Sequence, residues 1–446
     1  MPQNFLSCDR EQELLLPPSL RDWLASDHLA WFVLDAVDEL DLAVFLADYR
    51  RDGWGRAAFD PSMMVALMLY AYAVGERSSR GIERRCREDI AFRVITANQV
   101  PDHATLARFR VRHERALGEV FTQILGLCAQ SGLVQVGLIA VDGTKIAGNA
   151  SREASRSYEQ IAREILGEAA VADAHDDQRF GDRRGDELPA ELADRSSRRA
   201  RLRAAKKRLE AEVRDAQEAH TAHQKARAEL EAERGGKLRG RKPIAPPTAV
   251  NPAARANVTD PDSRLLRAPR GFVQGYNAQA VCTETQIILA AELSSDSPDA
   301  RLLEPMMTAA RAELAAVGIK QPPDVVLADG GYWNTPQIEQ VVAGGSQVLV
   351  NPDSSARPTR PAEERRLRDK RVDGLYAHMQ RVITSETGAA LYRRRQQMIE
   401  PIFAQTKVTR RADRFQRRGL DACRSEWRLI AATHNLLKLH RHAPAA

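Results

Sequence analysis

Leu138-Ile139-Ala140-Val141-Asp142-Gly143 and Val325-Val326-Leu327-Ala328-Asp329-Gly330 repeat one pattern: four apolar residues, an aspartate, a glycine. A continuous aliphatic run this short, in a chain rich in turn signals, reads as a strand buried on both faces. The first run begins near Leu133 and leads straight into Asp142; the second begins at Asp324 and ends at Asp329. An aspartate at the C-terminal end of a buried strand is held rigidly at a sheet edge. The glycine after it lets another backbone approach closely. One such aspartate, standing alone, is more often a turn or N-cap residue. Two in matched contexts point to a site built across strands.

Working outward, residues 272–283 and 286–293 read as a hairpin turning at Glu284-Thr285. A helix is expected over 300–317, a short strand over 347–350, and helices over 391–408 and 425–439. Residues 131–446 therefore read as an α/β domain. The first 130 residues read as helix throughout. Asp27 is placed to cap a helix carrying Leu29, Phe32, Val33, Ala36 and Val37, and Asp60-Pro61 opens another that ends at Gly75. A short basic helix follows Ser78, then a segment over 89–96. Asp102 caps a helix whose buried stripe is Leu106, Phe109, Leu117 and Val120, with Arg108, Arg110, Arg112 and Arg115 mostly off it. Three short helices with a basic last member are compatible with a helix-turn-helix unit, so residues 1–130 are read as a helical DNA-binding domain, with a small bundle whose basic face is solvated as the plain alternative.

Residues 150–268 form an insertion of different composition between the first strand and the hairpin. Leu202, Leu209, Ala216, His223 and Leu230 recur every seven residues, while Arg199, Lys206, Val213, His220 and Arg227 are mostly polar. That is a poor self-associating coiled coil. A long helix with one apolar seam, packed on another helix of the insertion and projecting from the core, fits better. His220 and His223 lack the neighbouring ligands a metal site needs. Arg239-Gly240-Arg241-Lys242-Pro243 is either a solvated linker or a minor-groove contact.

The 446 residues, 43% of them hydrophobic, suit two or three domains. A net charge of +6 says little, but from Lys407 onward ten Lys and Arg stand against three Asp and Glu. So basic a block is a candidate phosphate-binding surface. The five cysteines are scattered without a Cys-x-x-Cys pair, which argues against a zinc site and a disulfide framework. No signal peptide is read at the N-terminus, and the apolar stretch over 63–74 is too short for a bilayer. A reducing, cytoplasmic setting without a membrane partner is expected.

A third carboxylate, Glu400, lies in a basic helix with Ile399, Ile402, Phe403 and Thr406 at core spacing. Lys407 is seven residues on, two helical turns away on the same face. Paired carboxylates hold hard divalent cations, and two such ions roughly 3.5–4 Å apart serve phosphodiester cleavage by activating the attacking oxygen and stabilising the leaving one. An ordinary surface glutamate is the plain alternative.

Taken together, Val141-Asp142-Gly143-Thr144-Lys145, Gly275-Tyr276-Asn277-Ala278-Gln279-Ala280, Leu327-Ala328-Asp329-Gly330-Gly331-Tyr332, the Glu400 segment and Thr433-His434-Asn435-Leu436-Leu437-Lys438 resemble the insertion-sequence transposases with a DDE triad on a ribonuclease-H-like fold. The helical region around 61–115 resembles their N-terminal domain. The resemblance covers most of the chain outside the insertion. It implies Asp142, Asp329 and Glu400 as a catalytic, metal-binding triad for Mg²⁺ or Mn²⁺, in all two ions. It implies double-stranded DNA as substrate (terminal inverted repeats and a target), hydrolysis at the transposon ends, attack by the freed 3′-hydroxyl, and a homodimer to hold two ends. DNA contacts are expected from Lys145, Trp333, Arg394, Arg395, Lys407, Arg108, Arg112 and Arg115. Many relatives carry Tyr-x-x-Arg-x-x-x-Glu-x-x-x-x-x-x-Lys on the glutamate helix. Here Glu400 and Lys407 fit, Gln396 takes the arginine position and Tyr392 comes one residue early, leaving Arg394 or Arg395 as substitutes. Trp333 either stacks on an extruded base or is a buried tryptophan beside the site. A non-catalytic DNA-binding descendant and a nuclease without strand transfer are the competing readings.

Overall fold

The computed structural model describes residues 19–47, 49, 57–165, 198–237, 244–268, 271–352 and 374–442. The Arg239–Pro243 segment lies outside them. Contacts divide the chain into two compact units, one of residues up to Val134 together with those from Arg428 onward, the other Gln135–Trp427.

The larger unit is built on a six-stranded mixed sheet, β1 (Leu138–Ala147), β4 (Arg264–Ala268), β5 (Gly271–Thr283), β6 (Ile288–Ser294), β7 (Val325–Ala328) and β8 (Gln347–Val350). The order is β4-β5-β1-β7-β8, with β6 also on β5. β1 is antiparallel to β5 and parallel to β7, and β7 is parallel to β8. The apolar runs behave as their composition demands: Ile139, Ala140, Val141, Val326, Leu327 and Ala328 are all fully buried. The hairpin turns where expected, with Gln286 in the left-handed region at φ 68°.

β1 differs from its sequence reading. It begins at Leu138, not Leu133, and continues five residues beyond Asp142. Its parallel ladder with β7 stops at Val141–Ala328, but its antiparallel ladder with β5 runs on to Ala147–Gly275. Asp142 therefore ends a ladder rather than a strand.

The insertion is not purely helical. β2 (Ser155–Ser157) and β3 (Arg255–Asn257) pair antiparallel, and β4, inside the expected 150–268 boundary, belongs to the main sheet. Its long helix, Arg198–Glu233, buries Leu202, Ala205 and Leu209 against Ile161 and Ala256, a small core of the insertion's own. Residues 158–165 are helical. Leu230, on the same heptad seam, is 52% exposed, so only the start of the seam is packed.

Among the described residues the smaller unit has helices and no strand. It holds α1 (Leu29–Asp38), α2 (Ala43–Ala47), α3 (Pro61–Ala73), α4 (Ser79–Glu88), α5 (Ile90–Ile95), α6 (His103–Arg112) and α7 (Glu114–Gln130). Asp60 and Asp102 cap α3 and α6 as expected, but the cap of α1 is His28, whose side chain accepts from the Ala30 N–H, rather than Asp27. The expected single helix after Asp102 is two, broken at His113, whose ring packs on Phe45, Tyr49 and Phe109. α3 is buried along nearly its whole length, so its apolar run forms the centre of the unit. Among the described residues no helix is long and apolar enough to cross a membrane.

Candidate active site

The β1–β7 parallel register carries Val141 beside Ala328, which sets Asp142 and Asp329 next to one another where the ladder ends. Both make the same local contact. Each accepts from the N–H of the glycine that follows, Gly143 at 2.7 Å and Gly330 at 2.6 Å. The space at Gly143 is filled by a side chain rather than a backbone. A Cβ there would lie 2.1 Å from the Gln279 amide nitrogen, so only glycine leaves that amide room.

The third element of the site is a helix, Glu386–Ala404, packed on β1, β5 and β7. Tyr392 donates its hydroxyl to the Ala328 carbonyl at 3.3 Å, and Arg395 donates Nη1 to Asp142 at 2.7 Å. Of the two substitutes expected for the missing arginine, Arg395 is the one that reaches the site. Arg394 pairs with Glu284 in the hairpin turn. Burial disfavours the Asp142 anion, the Arg395 guanidinium and the Gly143 N–H oppose that, and Asp329 and Asp299 add like charge. The net result pushes its carboxyl up to about 6.

Glu400 does not join this pair. It is exposed, and among the described residues no group of three His, Cys, Asp or Glu side chains is placed to hold a metal ion. Five residues separate it from Arg395, about 140° around an α-helix, so the residue that faces Asp142 turns Glu400 to a flank. Nor are Glu400 and Lys407 two α-turns apart. The helix is α to Ala404, then opens into a π turn over Gln405–Thr409. Lys407 nonetheless returns to the sheet, donating Nζ to the Lys145 carbonyl at 2.8 Å, and burial pushes it below the ordinary lysine range. Pro401 withholds the N–H that Gln397 would receive, and the Gln286 amide supplies a donor instead at 2.9 Å.

Sequence reasoning missed Asp299. It accepts from Asn277 at 2.7 Å, from Gln279 at 2.9 Å and, more loosely, from Lys145 at 3.4 Å. Lys145 is thus tied to a carboxylate. A signal was present in the sequence: Asn277 and Gln279 are two apart on a buried strand, hence on one face, and buried amides require partners. Tyr332, fully buried, donates its hydroxyl to Gln279; burial, then the charges of Asp299, Asp142 and Asp329, hold the phenol well above its usual range. Trp333 is half-buried, edge-on to Tyr376 at 5.8 Å.

In the helical unit, Arg108 and Arg112 are exposed beside a hollow floored by Phe59, Met64 and Phe109. Arg112 lies over the Tyr49 ring at 4.6 Å, and Arg115 pairs with Glu119 at 2.8 Å. Arg110 is the exception to the expected basic face. It is buried, with Nε on the Met68 sulfur and its guanidinium over Tyr72.

Two family models match the chain. One, described as Transposase domain (DUF772), covers residues 18–112; the other, described as Transposase DDE domain, covers residues 356–440. Both are transposase models, and together they support reading the chain as an insertion-sequence DDE transposase. The first match takes in Arg108 and Arg112, the second Arg394, Arg395, Glu400 and Lys407, while Asp142, Lys145 and Asp329 lie outside both. No curated protein and no solved structure matches the chain.

Proposed function

We propose that the chain is a DNA transposase that cleaves the ends of its insertion sequence and joins the freed 3′-hydroxyls to target DNA, on a ribonuclease-H-like sheet. The observation that carries this is the placement of Asp142 and Asp329 side by side where the β1–β7 ladder stops, at the centre of a mixed sheet of order β5-β1-β7-β8.

Two neighbouring carboxylates suit a hard divalent cation, which often takes only one or two protein carboxylates and fills its shell with water and substrate phosphate. The chemistry of the pair fits Mg²⁺ or Mn²⁺: both ligands are oxygens, and the charged form of Asp142 is disfavoured by burial and by Asp329. Asp142 and Asp329 would hold the metal, whose bound charge offsets the negative charge that develops on the phosphate. The chain's own groups prepare that place. Arg395 fixes the Asp142 carboxylate, Tyr392 fixes the end of β7, and Lys145 and Lys407 set two cations along the strand beyond Asp142.

Glu400 remains the proposed third carboxylate, since Arg395 and Lys407 on either side of it both touch β1. Asp299 is the competing assignment, because its charge already acts on Asp142. DNA held by Arg108, Arg112 and Arg115, a dimer that pairs two ends, and association with the nucleoid belong to the same reading.

The test is a cleavage and strand-transfer assay on duplexes carrying the inverted repeats that flank the gene, with Mg²⁺. Asp142→Ala and Asp329→Ala are expected to end cleavage while end-binding persists. Cleavage at the normal rate in Asp329→Ala would refute the proposal. Binding without cleavage by the unaltered chain would favour a non-catalytic descendant, and cleavage without joined products a simple nuclease. Comparing Glu400→Gln with Asp299→Asn decides between the two candidates for the third carboxylate.

A further inference from the structure

The basic block after Lys407 is not one surface. Arg410 is buried and bonded to Thr406, Arg424 pairs with Glu292 and Asp421, and Arg428 is anchored on the Gly118 carbonyl and Thr122. Arg414 and Arg418 are different. The loop that carries them is stitched onto the end of β1, where the Ala147 N–H donates to Asp413 and the Phe415 N–H to Ala147, at 3.0 and 2.8 Å. Arg414 then donates to the Gly148 carbonyl at 3.1 Å and Arg418 to the Asn149 carbonyl at 2.8 Å. The Asn149 amide closes the arrangement on the Gln416 carbonyl.

These carbonyl anchors are neutral and orient the two guanidinium forks at the cleft. Both arginines line a cleft of about 670 Å³ with Arg152, which is exposed, and with Thr259 and Gln274. On the same cleft stands Phe272, 57% exposed near the start of β5. Beside three guanidinium groups this exposed ring makes a polar, cationic cleft with one flat apolar face. That combination matches a nucleic-acid strand, in which phosphates recur beside bases that present π-faces.

We propose that this cleft binds a single DNA strand, with phosphates on Arg152, Arg414 and Arg418 and one unpaired base stacked on Phe272. The inference rests on the nucleic-acid reading of the chain but on none of the carboxylates of the candidate active site. An unpaired strand is favoured over a duplex because a base offers its face to a side chain only once it is unstacked from one neighbour.

The test measures binding of the full chain to a labelled twelve-nucleotide oligothymidylate and, separately, to the terminal-repeat duplex, by fluorescence anisotropy at two salt concentrations. Arg152→Glu/Arg418→Glu is expected to weaken oligothymidylate binding at least about tenfold and to flatten its salt dependence. Phe272→Ala is expected to weaken it about fivefold with the salt slope unchanged, since stacking contributes about 1–3 kcal/mol per base and releases no counterions. Both variants should alter duplex binding less than about twofold, the margin within which a phosphate-contact surface elsewhere still dominates. Unchanged oligothymidylate affinity in both variants overturns the proposal, and so does an equal loss on strand and duplex. If the unaltered chain binds the strand through this cleft but not the repeat duplex, the transposase reading fails and the cleft remains.

Discussion

β1 is one strand with two environments. Residues 138–141 are apolar and buried, and residues 139–141 are paired on both sides, with β5 and with β7. From Asp142 to Ala147 the strand keeps β5 but has lost β7, and residues 142–145 become half-buried and mostly polar before Ile146 returns to the core. The backbone is the same extended chain in both halves. What differs is whether a neighbour fills the second edge. The first half supplies rigidity; along the second, other partners take the place of β7, with Arg395 of the Glu386–Ala404 helix on Asp142, Lys407 of the π turn on the Lys145 carbonyl and the Asp413–Phe415 segment on Ala147. Carboxylate chemistry therefore belongs at the junction, where a rigid anchor and an open edge meet.

The sharpest way to break this comparison is at the junction itself. Asp142→Ala should lower end cleavage by on the order of 10⁴-fold, as for other residues that act directly on the reacting group, with a stability loss of about 2–3 kcal/mol because it strands the Arg395 guanidinium. A gel-based cleavage assay beside a thermal melt checks both. Three residues earlier the balance should invert. Ile139→Ala removes a fully buried side chain between two strands and should cost about 4 kcal/mol in denaturant unfolding. Activity per folded molecule should stay within about twofold, the interaction being one of packing and not of the transition state. Loss of activity without loss of stability at Ile139 would erase the distinction between the halves.

Arg395→Ala tests the link across the open edge. It leaves Asp142 without its ion-pair partner, at a cost of about 2–3 kcal/mol, below the value for a fully buried pair because some solvent reaches the carboxylate. The pH dependence gives a second readout. Because the folded-state pKa of Asp142 is raised to about 6, its contribution to stability is fully present below the unfolded value and is lost as pH rises through about 6. Removing Arg395 raises that pKa further. The stability gap between the unaltered chain and Arg395→Ala should accordingly be wider at pH 8 than at pH 5. A gap independent of pH would mean that Arg395 acts by packing alone. The smallest effect is expected from Asp299→Asn, which keeps the shape and removes one of the charges that raise Asp142. The Asp142 titration, followed by NMR, should move to lower pH, with a stability change below about 1 kcal/mol for a partly exposed pair.

The features legible in the sequence are those set by short-range patterning. The aliphatic runs of β7 and β8, the hairpin of β5 and β6, and the Asp60-Pro61 start of α3 all lie close to where their residues place them. The extent of β1 was not legible, because its last five residues are strand only by pairing with β5, whose residues lie more than a hundred positions away. The juxtaposition of Asp142 with Asp329 follows from their matched contexts. The exposure of Glu400 does not, since it depends on helical phase relative to a strand end that the helix's own residues do not encode. Arg110 was misread for a related reason. Its charge marks it for the surface, but a guanidinium can be buried when a sulfur and an aromatic ring receive it. Asp299 sits in a loop without periodicity, and only the demand of two buried amides for an acceptor points to it.

The π turn at Gln405–Thr409 bears on how this chain tolerates changes of length. A π turn holds one more residue than the α turn it replaces, as the bond from the Arg410 N–H to the Gln405 carbonyl shows. Deleting one residue there can be absorbed by tightening the turn to α, leaving the segments on both sides in phase. Deleting one residue between Arg395 and Glu400 offers no such slack and rotates everything beyond it by about 100°. Single-residue length variation in this helix should therefore be found after Ala404 and not before it, and spacings measured from Glu400 toward the C-terminus should drift among relatives more readily than those between Tyr392 and Arg395.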